Sequence, residues 1–282
     1  MPARRYALST HLYHDQRLAR RHLQEAAAHG FGAIELFATR THFDYHDPAA
    51  ITALGEWLRE TGLALHSVHA PIAESLAGGR WGPFFSNASG DEPARERAVA
   101  EATAALELAR AVPYRFLVVH LGQPDHQRLA PHDNRPDAAR RSIETLARRA
   151  AALGVRLALE VIPNRLSTAG ALVRLIEADL DSADAGICLD FGHAFLMGDL
   201  VDAIETASGY LLTTHVHDNH GKADEHLAPL EGAIDWAAAL MAAAKVGYDG
   251  ALVMELAGAP GPAQVLAAAA RARRRLDEIA RY

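Results

Sequence analysis

Short apolar runs alternate with longer stretches of helical periodicity from one end of the chain to the other. Eight runs, at 5–10, 33–38, 63–69, 116–121, 156–162, 186–190, 211–217 and 251–256, are rich in valine, isoleucine and leucine and too short for helices, so each reads as a strand. The segments between them, 18–29, 48–61, 92–111, 137–153, 168–178, 199–208, 234–246 and 262–281, repeat their apolar residues at helical spacing. Four of these helices run into a glycine where a left-handed residue is wanted: His29-Gly30, Thr61-Gly62, Leu153-Gly154 and Val246-Gly247. Pro48, behind Asp47, reads as a first-turn proline after an N-cap. Eight strand–helix units in 282 residues predict an α/β fold, a single (β/α)8 TIM barrel spanning residues 1–282. A doubly wound open sheet is the alternative. No Gly-x-Gly-x-x-Gly follows the first strand, so no nucleotide cofactor is expected.

Composition narrows the chemistry. With 50% hydrophobic and 22% charged residues, the chain has the balance of a soluble globular protein. No apolar run approaches the ~20 residues needed to cross a bilayer. The start, Met1 to Arg5, leads straight into a strand without the features of a signal peptide, so a cytoplasmic protein with no membrane partner is expected. The one cysteine, Cys188, permits neither an internal disulfide nor a thiolate cluster and reads as an inert core residue. Any metal must therefore be held by His, Asp and Glu. A net charge of −7 argues against a nucleic-acid partner, and Arg271 to Arg275 read as the solvated face of the last helix. Sixteen histidines call for an explanation.

In such a barrel the active site gathers at the C-terminal ends of the strands. The third predicted strand ends in His69, the fourth in His120, the fifth in Glu160, the sixth in Asp190 followed by His193, the seventh in His215 and His217, and the eighth in Glu255. Each alone could be a cap or a hydrogen-bonded structural residue. Together they would crowd several carboxylates into one mouth, which is strongly unfavourable without a counter-charge. A divalent cation supplies that charge. Mixed imidazole and carboxylate ligands suit Zn2+ or Mn2+, and also Co2+ or Fe2+, better than Ca2+ or Mg2+ alone. Glu160, Asp190, His215 and Glu255, from four successive strands, can converge on one ion. Glu35, ending strand two, either touches substrate or pairs with a neighbouring helix. Lys222 either meets a phosphate or carboxylate or is solvated. The loop after strand three, Arg80 to Phe85 behind Gly78-Gly79, reads as a lid hinged at the glycines. Trp236 reads as packing at a helix start. His11, His14, His22, His29, His42, His46, His126 and His132 receive no role.

These residues resemble the xylose isomerase-like TIM barrels, the group that joins endonuclease IV with sugar isomerases and epimerases. The likeness spans nearly the whole chain. It rests on Val68-His69-Ala70-Pro71, Val119-His120-Leu121-Gly122, Glu160, Asp190-Phe191-Gly192-His193, Glu255 and the stretch from His215 to Gly232 followed by Ile234-Asp235-Trp236. The resemblance implies a metal-dependent sugar isomerase or epimerase whose one-ion site is Glu160, Asp190, His215 and Glu255. Glu160 and Glu255 would also move a proton between adjacent carbons. It implies substrate contacts for His69, His120, His193 and His217. The same positions admit a multinuclear zinc phosphodiesterase of the endonuclease IV type. There His69, His120 and Glu160 would hold one ion, Glu160 would bridge, and His193, Asp224 and His226 would hold another. The charge and the Ala-Pro-Ile-Ala-Glu-Ser-Leu segment after His69 favour a small sugar-like substrate over DNA. A homo-oligomer is compatible with either reading.

Overall fold

Residues 5–125, 132–180 and 184–280 are described by the structure, a computed structural model. Met1 to Arg4, His126 and Arg281, the end of the last predicted helix, lie outside them. The eight apolar runs form β1 (Arg5–Ser9), β2 (Ala33–Phe37), β3 (Ala64–His69), β4 (Phe116–Val119), β5 (Arg156–Glu160), β6 (Ala185–Asp190), β7 (Leu211–Val216) and β8 (Ala251–Met254). Each pairs in parallel with the next, and β8 returns to β1, so the sheet closes into a (β/α)8 barrel with no exposed edge. Around it lie α1 (Arg20–Ala28), α2 (Pro48–Thr61), α3 (Glu92–Glu107), α4 (Pro136–Ala151), α5 (Ala169–Asp179), α6 (Phe191–Met197), α7 (Leu200–Thr206), α8 (Trp236–Lys245) and α9 (Pro262–Ile279). Asp47 caps α2 through the Ala49 amide, with Pro48 in the first turn. Gly30, Gly62, Gly154 and Gly247 take positive φ, as their sequence positions require. Among the described residues no helix is long and apolar enough to cross a membrane.

Two apolar layers pack against the sheet. The larger fills the space between strands and helices and includes Leu8, Ile34, Val68, Leu117, Leu159 and Leu189. The smaller lies inside the barrel: Phe116, Val118, Ala158 and Cys188, with Leu212 against them. Side chains alternate along a strand, so the residue two positions on points the same way. His120 therefore follows Val118 on the inner face, Glu160 follows Ala158, and Asp190 follows Cys188. The barrel has an apolar waist and a ligand-bearing rim because of that period of two. Register completes the placement. A shift between Ile187 and Cys188 sets Asp190 opposite His215 rather than its neighbour, and a second, between Ile34 and Glu35, sets Glu35 opposite Ser67.

Three expectations change. α6 is a helix that the pattern did not predict; it starts where Asp190 accepts the His193 amide at 2.7 Å. The supposed hinge is the tip of a hairpin, Leu76–Ala77 paired antiparallel with Arg80–Trp81. Gly78 and Gly79 have φ of 56° and 72°, the two consecutive positive values that a tight hairpin turn demands. Within the basic stretch of α9, Arg273 is not merely solvated: its guanidinium lies over Tyr6 and Phe31 and donates to the His29 carbonyl at 3.1 Å.

Candidate metal centre at the barrel mouth

Among the described residues, three groups of side chains bring their ligand atoms within 4.8 Å of one another at the C-terminal rim: His69, His120 and Glu160; Glu160, Asp190, His215 and Glu255; and His193, His217, Asp224 and His226. The middle group is the most deeply enclosed, with Glu160, Asp190 and His215 at 0% exposure and Glu255 at 3%. His215 organises it. Its Nε2 lies 3.1 Å from Glu35, which also accepts Ser67 Oγ at 2.7 Å. Donation there leaves the Nδ1 lone pair facing Glu160 at 3.2 Å, Glu255 at 3.4 Å and Asp190 at 3.8 Å. One proton cannot serve three carboxylates, whereas a divalent cation among the four groups can.

The flanking groups repeat the device. His69 Nδ1 donates to the Ala70 carbonyl at 2.8 Å, His193 Nδ1 to Val161 at 3.2 Å and His226 Nδ1 to Glu255 at 2.9 Å. A carbonyl can only accept, so these bonds fix the tautomer and leave Nε2 as the free lone pair. Each Nε2 then faces a carboxylate: His69 to Glu160 at 3.0 Å, His193 to Asp224 at 3.1 Å and His226 to Asp224 at 3.2 Å. Lone pairs set against carboxylates are the arrangement of ligands around a cation, and carbonyl-tethered imidazoles are their usual support. His120 joins the first group with Nε2 at 3.0 Å from Glu160.

Without a cation, protons carry the balance. Burial pushes His193 down, but the carboxylates of Asp190 and Asp224 outweigh it and raise its pKa to about 10. Burial likewise opposes His226, and Asp224 with Glu255 lifts it to about 9. Burial would raise Glu160, yet His215 and His120 hold it well below the usual carboxylate range. The residues present fit a divalent ion.

The loop carrying Asp224 and His226 is built by Asp218. Its buried carboxylate accepts the amides of Asn219, Leu230 and Ile234 at 2.9, 2.9 and 3.1 Å, and the Trp236 indole N–H at 2.8 Å. Trp236 is thus both packing and donor. Asn219 ties the loop to α6 by donating to the Gly192 carbonyl at 3.0 Å. A Cβ at Gly192 would come within 2.1 Å of the His217 ring, so only glycine leaves that imidazole its place.

Two residues expected to contact substrate, Glu35 and His217, face inward. Glu35 is fully buried, 3.1 Å from His215, and pairs with that imidazole rather than with a helix, because alternation between the outward-facing Ile34 and Leu36 points it into the barrel. His217 is fully buried, 3.0 Å from Asp190 and stacked on His226 at 4.0 Å, because alternation puts it directly after His215 on the inner face. Lys222 is exposed in the loop after β7. A cavity of about 190 Å³ opens over the groups, bounded by His69, His120, Glu160, His193, Asp224, His226 and Glu255 and, opposite in character, by Phe37, Ile72, Trp81, Phe84 and Ile162. His11 also lines it, a residue that sequence reasoning left without a role.

The model of the xylose isomerase-like TIM barrel family matches residues 23–278, and the chain belongs to that family. An uncharacterised protein of Methanocaldococcus jannaschii, MJ1311, is 28% identical over 240 residues, covering 83% of this chain and 77% of its own. A D-tagatose 3-epimerase-like protein superposes with a TM-score of 0.80 at 25% identity, over 98% of this chain and 96% of the other. The IOLI protein, whose crystal structure contains a zinc atom, has the same fold, with a TM-score of 0.79 at 16% identity over 97% and 98% of the two chains.

Proposed function

We propose that this chain is a divalent-metal-dependent isomerase or epimerase of a sugar-like small molecule, working at Glu160, Asp190, His215 and Glu255. The observation that carries this reading is the single His215 nitrogen facing three buried carboxylates. The likeness to a D-tagatose 3-epimerase-like protein supports the reaction class, and the zinc atom in the IOLI protein supports the cofactor. Zn2+ or Mn2+ fits the ligand set best, with Co2+ and Fe2+ next. When bound, the cation supplies Lewis-acid polarisation of a substrate carbonyl and hydroxyl.

The chain's own residues divide the remaining work. Glu255, with its nearest imidazole nitrogens at 3.4 and 3.8 Å, is the freer carboxylate and takes the proton from carbon. Glu160, the second carboxylate of the group, takes a proton from the protonated His69 ring that faces it at 3.0 Å and passes it to the carbon on the opposite face. His69, His120 and His193 orient hydroxyls at the cavity wall.

One observation favours a second reading. Glu160 Oε2 lies 3.0 Å from both His69 Nε2 and His120 Nε2, which would let it serve as a ligand shared between two ions rather than as a free base. With His193, Asp224 and His226 forming a further group, this suits a multinuclear zinc phosphodiesterase of the endonuclease IV type. Elemental analysis of protein purified without chelator separates the two. About one ion per chain, with ketose epimerisation, supports the first; two or three zinc ions, with cleavage of a phosphodiester, support the second. A protein that holds no metal and takes up none sinks both.

A further inference from the structure

His11 shares the build of the ligand histidines but stands outside all three ligand groups. It sits in the short turn Thr10–Tyr13 that follows β1, and its Nδ1 donates to the Leu256 carbonyl at 3.1 Å. Its ring packs 4.9 Å from that of His226 and edge-on at 5.0 Å to Phe37. His69, His193 and His226 each turn Nε2 to a carboxylate, yet among the described residues no carboxylate lies within ion-pair distance of the His11 ring. Once Nδ1–H is given to a carbonyl, the neutral ring has only a lone pair at Nε2, and the carboxylates of the mouth offer no donor to meet it.

The ring is also held from behind. His14 Nδ1 donates to the His11 carbonyl at 2.6 Å, and the His14 ring stacks on Trp81 at 5.7 Å with the planes 18° apart. Trp81 closes the hairpin over β3 and walls the same cavity as His11. One chain of contacts therefore joins the hairpin, through His14 and His11, to the edge of the metal groups.

We infer that His11 is a hydroxyl-recognition subsite: its Nε2 accepts a hydrogen bond from a substrate O–H, and Trp81, seated on His14, presents an apolar wall to the same molecule. The ligand class is a neutral molecule with an O–H group beside an apolar C–H face. The inference rests on the isomerase reading above and names a determinant of its specificity. A site built to pair a substrate hydroxyl discriminates strongly against the analogue that lacks it, because its own polar group is then left buried and alone.

The experiment has two arms. Nitrogen-15 NMR of the metal-loaded protein reads the His11 tautomer without any substrate: Nδ1–H with a bare Nε2 is expected. A proton on Nε2, or coupling of Nε2 to a cadmium ion loaded in place of the native metal, overturns the assignment. The second arm compares wild type, His11→Phe and His11→Gln on D-tagatose and its singly deoxygenated analogues. His11→Phe keeps the ring stacking and is expected to raise KM about tenfold, with kcat and metal content little changed. His11→Gln, whose side-chain oxygen reaches the same place, recovers most of the loss. One deoxy analogue should weaken the wild type about tenfold and leave His11→Phe unaffected. Equal losses in both proteins overturn the inference. A wild type that turns over no ketohexose counts against the isomerase reading, and the NMR arm still decides His11.

Discussion

His193 and His226 at the mouth of the barrel and His66 at its foot show the same side chain in opposite states. At the mouth, surrounding carboxylates raise His193 to about 10 and His226 to about 9. At the foot, burial takes His66 down to about 4, with Arg115 and Arg5 adding to the effect against Glu35. Its Nε2 lies 3.0 Å from Thr213 Oγ1. Arg5 opens β1, Arg156 opens β5 and Arg115 immediately precedes β4, and these arginines line a cavity of about 250 Å³ with His66. A chain of net charge −7 thus segregates its charge along the barrel axis, cations where strands begin and anions where they end. Whether an imidazole is a proton carrier or a neutral partner follows from the carboxylates that face it: His11, at the same mouth but without one, is pushed down by burial and by His226.

The most severe way to break the comparison is at the mouth. Glu160→Gln removes a charge from two ligand groups at once. Turnover should fall by on the order of 10³-fold, and elemental analysis should show metal lost. Full retention of metal would remove Glu160 from the ligand set.

The foot gives the next largest effect, and its sign follows from the direction of the shift. A histidine whose folded pKa is about 4 is protonated first in the unfolded chain as pH falls. Its contribution to stability is complete above pH ~6.5 and is lost as pH drops towards the folded value, up to about 3 kcal/mol. Urea unfolding of wild type against His66→Gln between pH 7 and 4 should show the difference shrinking across that window. A constant difference would show that the foot does not keep His66 neutral.

Gly192→Ala tests how closely the mouth is fitted. The new Cβ would displace the His217 ring, costing roughly 1–3 kcal/mol as an overpacked core does. Thermal unfolding and the metal content of the third group should fall together. The gentlest probe is proton counting. Because the metal-free mouth holds imidazoles raised to about 9 and 10, zinc binding at pH 8 should still displace protons, where ordinary histidines would have none left to release. Calorimetry in buffers of different ionisation enthalpy measures this. Zero release at pH 8 would refute the charge state assigned to the mouth.

Much of this architecture was legible in the sequence because its signals are local. Strand periodicity, helix-ending glycines and the ligand-competent strand ends all lie within a few residues of one another. The partners of Glu35 and His217 were not legible, since the side chains they meet inside the barrel are set by pairing between strands distant in sequence. α6 was hidden because Gly192 breaks its helical pattern and Asp190 reads equally well as a ligand and as a cap. His11 carried no signal because it lies in a turn beyond the apolar run, and its contacts with Leu256 and His226 form only once β8 closes beside β1.

The four hydrogen bonds gathered by Asp218 have one more consequence. The segment bearing Asp224 and His226 is ordered by the fold itself, so the entropy of arranging it is already met before anything binds. A ligand arriving there does not have to organise the peptide that will hold it, which favours tight capture and slow release. Asp218→Ala would turn a prebuilt receptor into one that must fold around its guest, and binding there would acquire the temperature dependence of a small folding reaction.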